Sequence, residues 1–176
     1  YSYGLDLSGG GTNYYKGRLS SVAAGTTTVS YNQFDAMGRV TKHTQTTDGV
    51  PYVFTYGYNL AGLNTSTTYP SGRQVKTAYD AAGRANGVQS VMTGHVADVV
   101  KSVSYHPHGA ALDLGLANGV TVSRTYNAWL QPVRIQAGSL MMLDYGYWVN
   151  GNNGNLQSHT VTRGVLIDTQ TFQYDS

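Results

Sequence analysis

The chain has 176 residues, about the length of one domain, and carries a formal charge of +2, with 11% charged residues and no cysteine. A small charge without a basic block argues against nucleic acid as a partner. The missing cysteines exclude disulfides and thiolate metal sites, and no apolar run reaches the roughly 20 residues of a membrane span. All nine acids are Asp, and 22 glycines, 15 tyrosines and abundant Thr and Ser replace the Glu- and Leu-rich composition of long helices.

From the N-terminus, Gly9-Gly10-Gly11 lacks the spacing and following lysine of a phosphate loop and reads as a flexible segment or turn. Tyr14-Tyr15-Lys16-Gly17-Arg18-Leu19 is the first trace of a motif that then recurs. Phe34-Asp35-Ala36-Met37-Gly38-Arg39 and Tyr58-Asn59-Leu60-Ala61-Gly62-Leu63 are copies of Tyr79-Asp80-Ala81-Ala82-Gly83-Arg84. Tyr105-His106-Pro107-His108-Gly109 keeps the aromatic and the glycine, whereas Tyr126-Asn127-Ala128-Trp129 keeps only the opening. Tyr147 falls in phase without the hexamer, and the sequence ends in Tyr174-Asp175-Ser176, an incomplete copy. Self-similarity at 20 to 30 residues means a stacked repeat architecture. With Tyr1-Ser2-Tyr3 at the start, the sequence reads as a piece of a longer chain: a single array over 1–176 of about seven repeats.

The hexamer has a turn mechanism. Asp or Asn at the first turn position accepts a hydrogen bond from backbone two residues on, and glycine suits the left-handed position that closes the hairpin. Asp35, Gly38, Asn59, Gly62, Asp80, Gly83 and Gly109 are therefore expected to fix turns. Phe34, Tyr58, Tyr79, Tyr105 and Tyr126 are expected to pack between repeats. Arg39, Arg73 and Arg84, each following a glycine, are expected to cap carbonyls or pair with a neighbouring Asp.

A second set of turn signals alternates with the first: Ala24-Gly25-Thr26, Asp48-Gly49, Pro70-Ser71-Gly72-Arg73, Thr93-Gly94, Asn118-Gly119, Gly138-Ser139 and Arg163-Gly164. The segments between have strand length and, in places, strand alternation, as in Val50, Tyr52, Phe54, Tyr56 and Tyr58. The Val-rich stretch His95 to Val103 favours strand, and Asn150 to Asn155 reads as a wider loop. Leu140 to Leu143 and Val165 to Ile167 are continuous apolar runs that predict strands covered on both faces. The fold expected is all-β: an antiparallel meander of hairpins, two strands and two turns per repeat, winding into a twisted, open spiral sheet. Its unpaired end strands are expected to self-associate or fray.

No catalytic constellation is legible: there is no nucleophile elbow and no dinucleotide fingerprint. His106-Pro107-His108 lacks a third convergent ligand, and His43, His95 and His159 are scattered, so no metal and no cofactor is expected. Trp148, Tyr147 and Trp129, with Tyr145 and Asn150, are the candidates for stacking on sugar rings; the alternative for these aromatics is a packed cross-strand ladder.

In-phase copies of Tyr-Asp-x-x-Gly-Arg at about 21 residues, from Tyr14 to Asp175, resemble the YD repeats of RHS (rearrangement hotspot) proteins, a family that includes toxin-complex shell components and teneurins. The resemblance implies a non-enzymatic section of a hollow β-shell, secreted or at the cell surface, enclosing a C-terminal domain such as a toxin. Neighbouring repeats of the parent chain and that enclosed domain are the implied partners. The alternative it implies is an extracellular repeat module that binds glycans or a partner surface. Family members that cut themselves carry a DPxG-type closing segment, and no Asp here precedes a proline, so self-cleavage is not implied.

Overall fold

The computed structural model describes residues 1–3 and 17–175. The Gly9-Gly10-Gly11 segment and the Tyr14-Tyr15-Lys16 opening lie outside the described residues, as does Ser176. Every element among the described residues is a strand. In chain order these are β1 (Ser2–Tyr3), β2 (Leu19–Ala24), β3 (Thr27–Phe34), β4 (Val40–Thr47) and β5 (Val50–Tyr58). There follow β6 (Asn64–Thr68), β7 (Gln74–Tyr79), β8 (Ala85–Met92), β9 (His95–Tyr105) and β10 (Ala111–Leu116). The last five are β11 (Thr121–Tyr126), β12 (Pro132–Ala137), β13 (Met141–Tyr147), β14 (Leu156–Arg163) and β15 (Leu166–Thr171). Strand order in the sheet is chain order, with β1 and β15 as the end strands. This is the antiparallel meander that evenly spaced turns dictate.

The residues divide into two compact units, Tyr1–Arg84 with Val88–Ala97, and Ala85–Gly87 with Asp98–Ser176. In the first, an aromatic row crosses three strands: Tyr31 lies opposite His43, and His43 opposite Phe54. The His43 and Phe54 rings are stacked at 4.7 Å. In the second, aliphatic rows alternate with a Thr, Ser, Asp and Arg face, as period-two strands require. Among the described residues Phe34, 7% exposed, is the one buried side chain. The sheet is thus held by cross-strand and next-repeat contacts and not by a second layer.

Among the described residues, seven turns share one geometry. In each, the N–H of the fourth residue donates to the carbonyl of the first, and the N–H of the first donates to the carbonyl of the fifth. They begin at Asp35, Asn59, Tyr69, Asp80, His106, Leu116 and Asn127. The fourth residue is a left-handed glycine in six, with φ from 76° at Gly83 to 95° at Gly109. In the seventh it is Leu130, at φ 62°. Asp48-Gly49 and Thr93-Gly94 instead have both residues at positive φ, as two-residue type I′ hairpins need.

One sequence expectation is corrected, and one irregularity of the motif is resolved. The runs Leu140 to Leu143 and Val165 to Ile167 are not covered on both faces: Leu140 and Val165 sit in turns, and Leu166 and Ile167 are 72% and 71% exposed. A continuous apolar run signals a doubly covered strand only when layers lie on both sides, and the described residues form a single sheet. The gap in the motif at Tyr126 is also not a gap in the fold, because Asn127 to Gln131 closes the same turn without glycine or arginine.

Leu130 pays the left-handed penalty for a residue with a Cβ, so Leu130→Gly is expected to stabilise by about 1 kcal/mol, read as a higher Tm. Gly83→Val should do the reverse by about 1–3 kcal/mol, since φ is 76° and an added Cβ would press on Leu63 at 3.4 Å. An unchanged Tm in both variants would contradict this account of the turns.

Candidate functional site

The residues singled out by the motif come together as a ladder of joints between successive repeats. Each joint starts with a turn whose first side chain accepts from the backbone. Asp35 Oδ1 receives the N–H groups of Met37 at 3.0 Å and Arg39 at 2.9 Å. Asp80 Oδ1 receives those of Ala82 and Arg84, both at 2.9 Å. The Asn127 side chain does the same for Trp129 and Gln131 at 3.0 Å, and Asn59 accepts from Leu63 at 2.9 Å. The second carboxylate oxygen holds the arginine: Arg39 Nε lies 2.6 Å from Asp35 Oδ2, and Arg84 Nε 2.8 Å from Asp80 Oδ2. Aspartate, arginine and glycine therefore recur together because one carboxylate serves both the turn and the cation that follows it.

The fifth turn residue then reaches the next repeat. Arg39 donates from Nη1 to the carbonyl of Asn59 at 3.0 Å, and its guanidinium lies 4.6 Å from the centre of the Tyr58 ring. The guanidinium of Arg18 stands over Phe34 and fills the space that a Cβ on Gly38 would need. Leu63, in the arginine position, packs against Gly83. Gln131, also in that position, forms a reciprocal amide pair with Asn152, at 2.8 and 3.1 Å. Arg73 belongs to the alternate turn set and instead donates to Ser90 Oγ at 2.9 Å.

The leading tyrosines close each joint from the other side. Tyr58 OH donates to the carbonyl of Val40 at 2.9 Å, Tyr79 OH to Asn64 at 2.6 Å and Tyr105 OH to Ala85 at 2.5 Å. Tyr126 OH donates to Ala111 at 3.0 Å, and Tyr147 OH to Pro132 at 3.2 Å. In every case the acceptor is the fifth residue after the turn's first position in the preceding repeat, the first residue of a strand. Tyr147 is thus a full member of the series despite the missing hexamer. The signal in the sequence was its 21-residue phase and not its neighbours.

The remaining candidates divide. Trp129 stands 66% exposed at a turn tip and Trp148 41% exposed after β13, so both offer ring faces. Tyr147 is tied to Pro132, and burial followed by the nearby Tyr145 pushes its phenol up. Tyr145 stacks on its cross-strand partner His159 at 5.6 Å. His106 and His108 bring their Nδ1 atoms into contact, beside the Tyr126 ring. Among the described residues no group of three or more His or Asp could hold a metal ion. Sequence reasoning missed the His43 cluster, where Tyr56 OH and His43 Nδ1 are hydrogen-bonded at 3.0 Å.

Two joint carboxylates and the His43 imidazole of the aromatic row make the fold pH-sensitive. Burial pushes the Asp35 carboxyl up, but the Arg39 N–H, its guanidinium and the Met37 N–H together hold it below its ordinary value. The N–H of Arg84, followed by its guanidinium, lowers Asp80. Burial lowers the pKa of His43. Groups with depressed folded pKa values stabilise above their unfolded pKa and lose that contribution as pH falls. Tm is therefore expected to drop first as pH falls below about 6.5, less so in His43→Phe. A second drop should follow below about pH 4, reduced in Asp80→Asn. Tyr79→Phe should cost about 0.5–1.5 kcal/mol, with faster amide exchange in β6 and β7; unchanged exchange there would contradict the role given to its hydroxyl.

No protein-family model matches the chain, and no curated protein matches it. Solved structures do. The chain is similar to TcdB2-TccC3, with a TM-score of 0.76 and 17% identity over 85% of its length. It matches TcdB2-TccC3 without its hypervariable C-terminal region at a TM-score of 0.75 and 18% identity over 84% of its length. A third is a Photorhabdus luminescens Tc holotoxin pore carrying a TccC3 substitution, at a TM-score of 0.74 and 17% identity over 85%. The chain spans 8% of the length of each of these chains. At this identity the likeness is one of fold: the antiparallel meander matches a stretch within much longer toxin-complex chains.

Proposed function

We propose that this chain is a non-enzymatic section of an RHS-type β-shell wall, whose work is to enclose or present another domain such as a toxin. The observation that carries the reading is the joint itself. Five tyrosine hydroxyls bond the carbonyl at the same turn offset in the preceding repeat, so each repeat is a template for the next and the sheet extends by addition. A wall needs that property and an enzyme does not. The likeness in fold to TcdB2-TccC3 supports the same reading. It also favours a secreted or surface-exposed setting, since one similar structure is a Tc holotoxin pore. No helix among the described residues is long and apolar enough to cross a membrane.

The partners in this reading are the adjoining repeats of the parent chain and the enclosed domain, with exposed strand edges as the route to self-association. A second reading, glycan binding, is favoured by the exposed rings of Trp129 and Trp148. The decisive experiment expresses the natural reading frame with its flanks and follows limited proteolysis. A repeat-rich body that shields an unrelated C-terminal domain until denaturant is added is the expected result. Free digestion of that domain would overturn the enclosing role. Binding on a glycan array that disappears in a folded Trp148→Ala variant would establish the second reading.

A further inference from the structure

The second unit has an apolar face with one cation set into it. Directly opposed residues of antiparallel strands share a face. Leu114, Val122, Ala137 and Met141 therefore form one row across β10 to β13. Arg124, Ile135, Leu143 and Val161 form the next, across β11 to β14. Arg124 is the one charged residue in these two rows. Its Nη1 is buried and has no hydrogen-bond partner.

Among the described residues no ion pair to Arg124 is formed. Asp144 pairs with Arg134 at 2.6 Å, opposite Thr125 and so on the other face. Asp113, opposite Ser123, is likewise on the other face and accepts from Ser104 Oγ at 2.9 Å. Asp168 continues the Arg124 row but stands opposite Val161 in β15, four strand spacings or about 19 Å away. Arg39, Arg84 and Arg134 each have a carboxylate, whereas Arg124 has none among the described residues.

An unpaired guanidinium nitrogen withdrawn from water is costly, and a planar, two-pronged donor of this kind matches a carboxylate. The apolar row beside it and the aliphatic members of its own row fit an apolar body attached to that carboxylate. We propose that this face docks an apolar polypeptide segment carrying an Asp or Glu, whose carboxylate pairs with Arg124 while its aliphatic neighbours cover Val122, Ile135 and Leu143. This pairing does not require the chain to be a shell wall.

The test compares the capped peptide acetyl-Ala-Leu-Asp-Leu-Ala-amide with its Asn counterpart on the full chain, by calorimetry and by the Arg124 Nε–Hε resonance. The Asp peptide is expected to bind at least tenfold more tightly and to move that resonance. The preference should vanish in Arg124→Met, and this variant should melt higher than the parent because the unpaired cation is gone. Equal affinity for the two peptides would overturn the proposal, as would an undiminished preference in Arg124→Met or a lower Tm for that variant. Binding of octanoate with no binding of either peptide would also overturn it, assigning the face to free amphiphilic carboxylates. A failure of the enclosure experiment would leave these results unaffected.

Discussion

One side-chain oxygen at the head of a turn governs much of this structure. Held by two backbone N–H groups, Asp35 Oδ1, Asp80 Oδ1 and the Asn127 amide oxygen fix five residues at once, including the left-handed fourth. That brings the fifth residue against the next repeat and leaves the following carbonyl open to the next tyrosine hydroxyl. The joint is polar, directional and local. It takes over the role that a packed core plays elsewhere, in a sheet where Phe34 is the one buried side chain among the described residues. Repeat stability of this kind is a sum of intrinsic and nearest-neighbour contributions.

The same constraint explains what was legible in the sequence. Asp35, Gly38, Asp80 and Gly83 carry their turn chemistry openly, so the hairpins and the all-β meander followed from spacing alone. The Leu130 turn did not, because its left-handed conformation is imposed by the Asn127 bonds and not by a glycine. The turns headed by Tyr69 and Leu116 have no carboxylate, yet the same two backbone bonds close them, with Ser71 Oγ and Asn118 Oδ1 accepting from the N–H groups of Arg73 and Val120. The tyrosine bonds were also hidden, since phase places the rings but only register shows which carbonyl each hydroxyl meets. Leu166 and Ile167 misled because hydrophobic runs report the demand for cover and not its presence.

Arg39 and Arg124 show how position decides the work of one residue type. The first has its own aspartate, a carbonyl and an aromatic ring, and its charge is consumed by the joint. Mid-strand among aliphatic rows, the second has no turn carboxylate within reach. The fold explains the first from inside the chain, whereas the second keeps a buried guanidinium nitrogen without a hydrogen-bond partner.

The tyrosine bonds span 15 to 20 residues, and the turn networks no more than five. Low contact order of this kind goes with fast, local folding. A growing chain could therefore finish each repeat as soon as the next tyrosine left the ribosome, with no need to wait for distant sequence. Pulled from one terminus, the same ribbon would give way repeat by repeat in a series of small, similar steps, as a zip does.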